Sequence, residues 1–423
     1  MVLLLGTGCD GGGGGSDAGT ARDAGGTPTT RMVTGLTSCS VALPGYYYLG
    51  AALPITGPLP VGEGMEKAIL TALTNINDNG GIDGHSVGLV TCDSACDGTA
   101  ARAALTELAG AELVSGVVGC GCSGATIPAS EVAIAQGIVM ISPSATSPAI
   151  TDIVDDGWLN RTAPSDALQG KIMAAIANRE GLTDVFVINR DDPYGNGLRD
   201  VFIENFEFLG GTTDFVTYSE DTAGFADTVI AAAEADGAPG VFMISFTTDG
   251  AAIAQTAISR GFDPGVWMFP DGLRDNSFVE AVGNDAFLEG AFGTIPASPT
   301  GANFATFSAR FTELWGEGPG PFGANAYDAA MLIAISMALG DPENRTSVRD
   351  NLRNTSTGTV VNPEQWDVFL GAASAGMVNY EGAAGPVDLD ENGEPVSNVE
   401  EWTITSGAIQ TAGCWTPDAT PCP

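Results

Sequence analysis

Residues 114–141 read VSGVVGCGCSGATIPASEVAIAQGIVMI. The first six are apolar and small, residues 125–136 carry apolar positions at helical spacing, and residues 138–141 are apolar again. A strand, a helix and a second strand in so short a span predict a βαβ unit, with the two strands parallel and the helix laid over one face. The pattern extends toward the N-terminus. Residues 46–53 predict a strand, 62–79 a helix, 87–91 a strand and 99–109 a helix. Asn79-Gly80-Gly81 closes the first helix, and Ser142-Pro143 closes the fourth strand. The run βαβαβαβ is the signature of a parallel sheet covered on both faces.

The alternation restarts further on. Helices are predicted over 166–179, 194–209, 223–235 and 250–260, with strands over 184–189, 213–218, 241–245 and 266–270. Three longer helices follow at 302–315, 324–339 and 363–373. The chain ends on β-like stretches at 385–389 and 400–406, flanking Asp390-Glu391-Asn392-Gly393. The predicted fold class is α/β: two Rossmann-like lobes, each a parallel sheet flanked by helices, joined by a three-segment hinge. A ligand cleft then lies between the lobes, at the C-terminal ends of the strands. The hinge segments are expected near 161–165, 293–296 and 377–382. Lobe 1 is expected to hold 46–163 and 297–376, lobe 2 to hold 164–296 and 377–412, and 413–423 to form a tail.

Composition fits this size. The chain has 423 residues, of which 44% are hydrophobic, enough for two cores. Lys+Arg number 15 against 52 Asp+Glu, a net charge of −37. Such a polyanion has no electrostatic attraction for nucleic acid or anionic lipid. The acidic residues are spread along the chain, as on a solvated surface. The single histidine, His85, follows Asp83-Gly84 in a turn, which removes most zinc and histidine-base chemistry. No metal site and no cofactor are expected.

The N-terminus reads as a tether. Residues 1–9 are a short apolar run ending in Gly8-Cys9, similar to the end of a bacterial lipoprotein signal in which the cysteine is lipidated. It lacks a basic leading region and reads as a truncated signal. Residues 10–40 open with Asp10 and five glycines, then turn rich in Ser, Ala, Thr, Pro and Gly, which predicts a flexible linker. No later apolar run approaches the roughly 18 residues of a membrane-spanning helix. Eight cysteines accompany this exported character: Cys9, Cys39, Cys92, Cys96, Cys120, Cys122, Cys414 and Cys422. Disulfides are the better reading than a thiolate metal knuckle. With Cys9 lipidated, seven remain, so one thiol is left over.

Several segments carry a family resemblance. They are Leu53-Pro54-Ile55-Thr56-Gly57-Pro58, Asn77-Asp78-Asn79-Gly80-Gly81-Ile82, Asp93-Ser94-Ala95-Cys96-Asp97, Ser123 through Ser130, Ile141 through Pro148, and Asp192-Pro193-Tyr194-Gly195-Asn196-Gly197. In this order, across residues 46–406, they resemble the type I periplasmic binding proteins. The nearest branch is the leucine/isoleucine/valine-binding proteins of ABC importers. The resemblance implies that Ser123, at a helix start, binds a ligand carboxylate. Free N–H groups and the helix dipole there attract an anion. It also implies that Thr146 shares that carboxylate, with Ser144 and Ala145 beside it, and that Asp271 pairs with a ligand ammonium where the family usually has Glu. Tyr194 matches the tyrosine of the Tyr-Gly-x-Gly motif. Phe246 stands where a second cleft tyrosine falls, and Leu59, Pro60 and Val61 replace a first-lobe aromatic. The family's first-lobe disulfide becomes Cys96–Cys122. Proximity of strand ends adds Cys92–Cys120, and Cys414–Cys422 closes a local tail loop.

Read without the resemblance, Ser123 is a helix cap, Tyr194 a core residue and Asp271 a turn residue before Gly272. Rival chemistries lack their parts. Gly121-Cys122-Ser123-Gly124-Ala125 only approaches a nucleophile elbow, and His85 precedes the serine in chain order. The loop opening at Asp388 has Val399 at the twelfth position of a calcium loop, so an Asn-Gly turn explains it better. The expected function is a non-enzymatic, monomeric solute receptor in the periplasm, lipid-anchored to the inner membrane. It would deliver an amino acid or similar zwitterion to ABC permease and ATPase subunits. The alternative is a sensing module that signals through a separate membrane partner.

Overall fold

The computed structural model describes residues 30–296 and 301–422. Cys9, the signal at 1–9 and the tether to residue 29 lie outside the described residues. The first sheet contains β1 (Ser40–Leu43), β2 (Tyr47–Leu53), β3 (Val87–Asp93), β4 (Val114–Gly119), β5 (Val139–Ser142) and β6 (Leu159–Arg161) in the order β1-β3-β2-β4-β5-β6. All its pairings are parallel except β1 with β3. Helices α1 (Gly62–Asp78), α2 (Gly98–Gly110) and α3 (Ser123–Gln136) link these strands. Every residue of β2 and β4 is buried, as expected of strands covered on both faces. Asp97 caps α2 by accepting the Thr99 and Ala100 N–H groups, and Gly137 ends α3 in the left-handed region.

The chain then crosses through 162–165 into α4 (Asp166–Arg179) and the second sheet. That sheet contains β7 (Asp184–Arg190), β8 (Thr212–Tyr218), β9 (Gly240–Ile244), β10 (Val266–Phe269) and β11 (Phe292–Pro296). Between them lie α5 (Pro193–Phe208), α6 (Phe225–Asp236), α7 (Thr247–Arg260), α8 (Asn276–Val282) and α9 (Asp285–Leu288). After residue 300 the chain forms α10 (Ala302–Trp315), α11 (Gly323–Leu339) and α12 (Arg345–Asn351). Nearly all of α11 is buried, against α1 and the first sheet, so its sequence is apolar on every side.

The last third departs from expectation. A two-stranded parallel ribbon joins β12 (Thr359–Val361) to β13 (Val378–Tyr380), with α13 (Trp366–Ala372) between them. Residues 377–382, expected to cross into lobe 2, instead stay beside α11. The Tyr380 hydroxyl and the Ala383 and Ala384 N–H groups donate to Asp328, each at 2.7 Å. Residues 385–389 form no strand, only isolated bridges from Glu381 to Pro386 and from Leu389 to Pro395. The crossing comes at 396–398, just before β14 (Val399–Thr405) and β15 (Ala408–Trp415). These two complete the second sheet, ordered β15-β14-β11-β10-β9-β7-β8. The expected tail at 413–423 therefore begins inside a strand. The expected hinge segment 293–296 is likewise most of β11.

The tether also ends sooner than residue 40. Glu107 on α2 accepts hydrogen bonds from Thr37, Ser38 and Cys39, the Arg31 guanidinium lies 4.1 Å over the Tyr46 ring, and β1 begins at Ser40. Burial alone would raise the Glu107 carboxyl, but the donated hydrogen bonds outweigh it and hold it at about 2. Disulfides join Cys96 to Cys122 and Cys414 to Cys422. Cys92 is bonded to Cys39 and not to Cys120, because the antiparallel β1 brings Cys39 against β3. Cys120 is the free, buried thiol among the described residues, pushed up to about 12 by burial. The Cys39–Cys92 bond closes 53 residues of chain. Replacing both by Ala should lower the unfolding free energy in urea by about 2–4 kcal/mol. An unchanged urea midpoint would show that the strap does not stabilise the fold.

Candidate functional site

The expected site residues all lie at C-terminal strand ends, where the two sheets face each other, and all are buried. On the first-sheet side, Ser123 opens α3 and its Oγ accepts the Ser147 N–H at 3.1 Å. Its own proton has no acceptor among the described residues. The turn after β5 is fixed by its own polar groups. The Ser142 hydroxyl donates to the Cys120 carbonyl and accepts the Ala145 N–H (3.0 Å), while the Ser144 hydroxyl donates to the Gly121 carbonyl (2.7 Å). Arg161 Nη1 donates to the Ala145 and Ser147 carbonyls, at 3.2 and 3.0 Å. This holds the Ser144 and Thr146 N–H groups in place, and neither donates to a described protein group. Ala145 is committed through both its N–H and its carbonyl, so it serves as a spacer.

On the second-sheet side, Asp271 lies in a short 3-10 turn after β10. Its Oδ1 accepts the Tyr194 hydroxyl at 2.8 Å and Gln169 Nε2 at 3.0 Å. Tyr194 is placed by the start of α5, where Asp192 caps the helix and Pro193 takes the first turn. Its ring stacks on Phe246 with centroids 5.2 Å apart, and the Arg190 guanidinium lies 4.4 Å over Phe246. The hydroxyl absent at position 246 is therefore replaced by a stacking face. Arg190 is held in turn by Asp192, Glu220 and Asp249.

Two further candidate residues were missed from sequence: Asp166 and Gln169, both fully buried on α4. Thr146, expected to bind a ligand carboxylate, donates its hydroxyl to Asp166 Oδ2 at 2.8 Å and accepts the Asp166 N–H on its carbonyl. Only the Thr146 N–H stays uncommitted. Asp166 Oδ1, Gln169 Oε1 and Thr294 Oγ1 are buried without a hydrogen-bond partner among the described residues. An acid at a helix start directly after a crossover is the signal that marks Asp166, but the same position is ordinary for helix-dipole stabilisation. Burial raises the Asp166 carboxyl well above the usual range, and the neighbouring Asp271 charge raises it further. Burial also raises Asp271, to about 6, against the pull of the Tyr194 and Gln169 hydrogen bonds. Burial and then Asp271 push the Tyr194 phenol up.

The arrangement is bipolar. N–H groups and a helix N-terminus project from one sheet, and two carboxylates face them from the elements of the other. Such an arrangement suits a small molecule with an anionic and a cationic end. The sides already touch, since the Ser147 hydroxyl donates to the Pro193 carbonyl at 2.7 Å. Gly197 makes this approach possible. A Cβ there would lie 2.9 Å from Pro148 Cδ and 3.2 Å from Ser147 Oγ. Gly197→Val should hinder closure and weaken ligand binding about tenfold or more, with an increased radius of gyration in X-ray scattering on the liganded protein. Unchanged affinity and radius would show that this contact does not govern closure.

The profile of a family described as periplasmic binding protein matches residues 47–398. A chemotactic signal transduction system substrate-binding protein, BasB, of Halobacterium salinarum is 30% identical over 387 residues, covering 86% of this chain and 88% of that protein. A leucine-, isoleucine-, valine-, threonine- and alanine-binding protein of Pseudomonas aeruginosa is 29% identical, covering 76% and 86%. Among solved structures, a leucine-binding protein from Thermotoga maritima superposes with a TM-score of 0.76 at 22% identity, covering 88% of this chain and all of that one.

Proposed function

Because this chain belongs to the periplasmic binding protein family, in its leucine/isoleucine/valine-binding-like type, we propose that it captures an amino acid or similar small zwitterion by closing its cleft. The observation that carries this reading is the buried pair Asp166 and Asp271 on one side, opposite the uncommitted Ser144 and Thr146 N–H groups on the other. The ligand carboxylate takes the Ser123 hydroxyl, those two N–H groups and the start of α3. The ammonium takes Asp271 and the free Oδ1 of Asp166. Only a ligand bearing both charges engages both sides, so only such a ligand favours the closed form.

The receptor delivers its ligand to the permease of an ABC importer, tethered to the inner membrane through a lipid on Cys9, with Asp10 as the retention residue. Among the described residues no helix is long and apolar enough to cross a membrane. Expression of the native gene should yield protein that partitions into detergent; freely aqueous protein would contradict the anchor. A second reading, ligand sensing for taxis, is supported by the similarity to BasB. Deleting the gene separates the two. Loss of labelled-ligand uptake supports import, and intact uptake with lost taxis supports sensing.

Calorimetry with amino acids, their amides and simple carboxylates tests the clamp. Removing one member of a buried charge pair costs about 3–5 kcal/mol, so Asp271→Ala should weaken binding at least about a hundredfold. Ser123→Ala should cost less, because backbone N–H groups still serve the carboxylate. The pH dependence has a definite sign. The Asp271 carboxyl is raised, so it protonates as pH falls through about 6, and a neutral Asp271 no longer attracts an ammonium. Affinity should therefore fall about tenfold between pH 7 and pH 5. A plain carboxylic acid binding as tightly as any amino acid, with Asp271→Ala silent, would refute the clamp.

A further inference from the structure

Arg190 is the last residue of β7, and its side chain is only 4% exposed. Its Nε donates to Asp192 Oδ2 at 2.9 Å, Nη1 to Asp249 Oδ2 at 2.5 Å and Nη2 to Glu220 Oε1 at 2.5 Å. With all three arms committed, the guanidinium is held in one orientation. In that orientation it lies 4.4 Å over the Phe246 ring. Three acids surround one guanidinium, so the cluster sets up no positive field against an incoming cation.

Two of those acids tie Arg190 to the helices that carry the stacked rings. Asp192 caps α5 through Oδ1, which accepts the Gly195 N–H at 2.8 Å, and Tyr194 stands in that first turn. Asp249 lies in the first turn of α7, where Phe246 is the N-cap residue. The Tyr218 hydroxyl donates to Asp249 Oδ2 and lies 2.7 Å from the hydroxyl of Ser245, the neighbour of Phe246. The packing leaves no slack. A Cβ on Gly195 would fall 2.3 Å from the Arg190 carbonyl oxygen, so α5 starts directly against Arg190. A Cβ on Gly272 would fall 3.0 Å from Phe246 Cδ1 and 3.1 Å from the Tyr194 hydroxyl, so the ring pair abuts the turn that holds Asp271. The path from Arg190 to Asp271 is therefore contiguous: guanidinium, Phe246 ring, the parallel Tyr194 ring, and a 2.8 Å hydrogen bond.

We propose that Arg190 is a positioning residue for the ammonium site: by bracing Phe246 against Tyr194, it keeps the Tyr194 hydroxyl on Asp271. The inference rests on the zwitterion reading above. Phenylalanine at 246 has no hydroxyl with which to anchor its own ring, and Arg190 supplies the anchor. The Tyr194 hydrogen bond favours the ionised form of Asp271 against burial. The other titratable group beside Asp271 is Asp166 on α4. With the brace removed, Asp271 takes up its proton at higher pH and holds an ammonium less well.

The test is calorimetry at pH 7. Wild-type protein is titrated with the twenty standard amino acids, and the tightest of them, its amide and its deamino acid become the probes. The Kd ratio of deamino acid to amino acid reports the ammonium site, and that of amide to amino acid reports the carboxylate site. Both are ratios within one protein, so a change in fold stability does not enter them. Arg190→Met should lower the first ratio at least about tenfold and leave the second within about threefold. Phe246→Leu should do the same, and it decides the matter if Arg190→Met does not fold. Phe246→Tyr keeps the stack and should keep both ratios. The pH midpoint of amino-acid binding should move up in Arg190→Met and in Tyr194→Phe, with the double variant no higher than Tyr194→Phe alone. If the first ratio is unmoved in Arg190→Met and Phe246→Leu, or both ratios fall together, the cluster serves the fold alone. The brace is then refuted while the head-group clamp stands. If no amino acid binds wild-type protein, or its deamino acid binds equally well, the clamp fails and the brace fails with it.

Discussion

Two carboxylates, Asp166 and Asp271, are kept out of water where the two sheets meet, and the surrounding structure is organised to tolerate them. A buried ionised carboxyl is costly unless hydrogen-bonded or paired. Here hydrogen bonds do part of the work. Tyr194 and Gln169 donate to Asp271, and Thr146 donates to Asp166. The rest is taken up by raised proton affinity, from burial at both carboxyls and from the Asp271 charge at Asp166. Thr146 lies in the turn that follows β5 of the first sheet, and Tyr194 on the helix that follows β7, so the acids couple elements of both sides. A cation at this pair would relieve what the protein groups leave unmet, including Asp166 Oδ1.

The scaffold that holds this geometry uses buried charge a second time. Arg161, at the first crossover, ion-pairs with Glu394 of the third segment and donates to the Thr151 hydroxyl and the Ala145 and Ser147 carbonyls. The site turn and the returning chain are thereby fixed by one guanidinium. Asp328 does the same for residues 380–384, where burial raises its carboxyl to about 7. Gly382 is required there, since a Cβ would fall 2.5 Å from Asp328 Oδ2. The third segment therefore stays with the first lobe for some twenty residues beyond the point that apolar patterning indicates, through polar contacts made far along the chain.

Legibility in the sequence tracks how local the determining physics is. The alternation from Tyr47 to Ser142 and from Asp184 to Phe269 follows from periodicity and turn residues, and the structure carries it with boundary shifts of at most three residues. Ser123, Tyr194 and Asp271 were legible as candidates because each sits at a strand end within a recognisable motif. Asp166 was not, because an acid at a helix start has a bland explanation that fits equally well. The Cys39–Cys92 bond depends on β1, a four-residue and mostly exposed strand without hydrophobic alternation. Its register is set by β3 and Glu107, which no local pattern announces.

The central claim is that the acidic pair receives a cation, and the proton count on binding tests it most directly. Titrations near pH 6 in buffers of different ionisation enthalpy give the number of protons exchanged. An ammonium docking beside Asp271 and Asp166 lowers their proton affinity, so the account predicts net proton release when an amino acid binds. Asp271→Asn should reduce that release. Proton uptake on binding, or heats independent of the buffer, would contradict it.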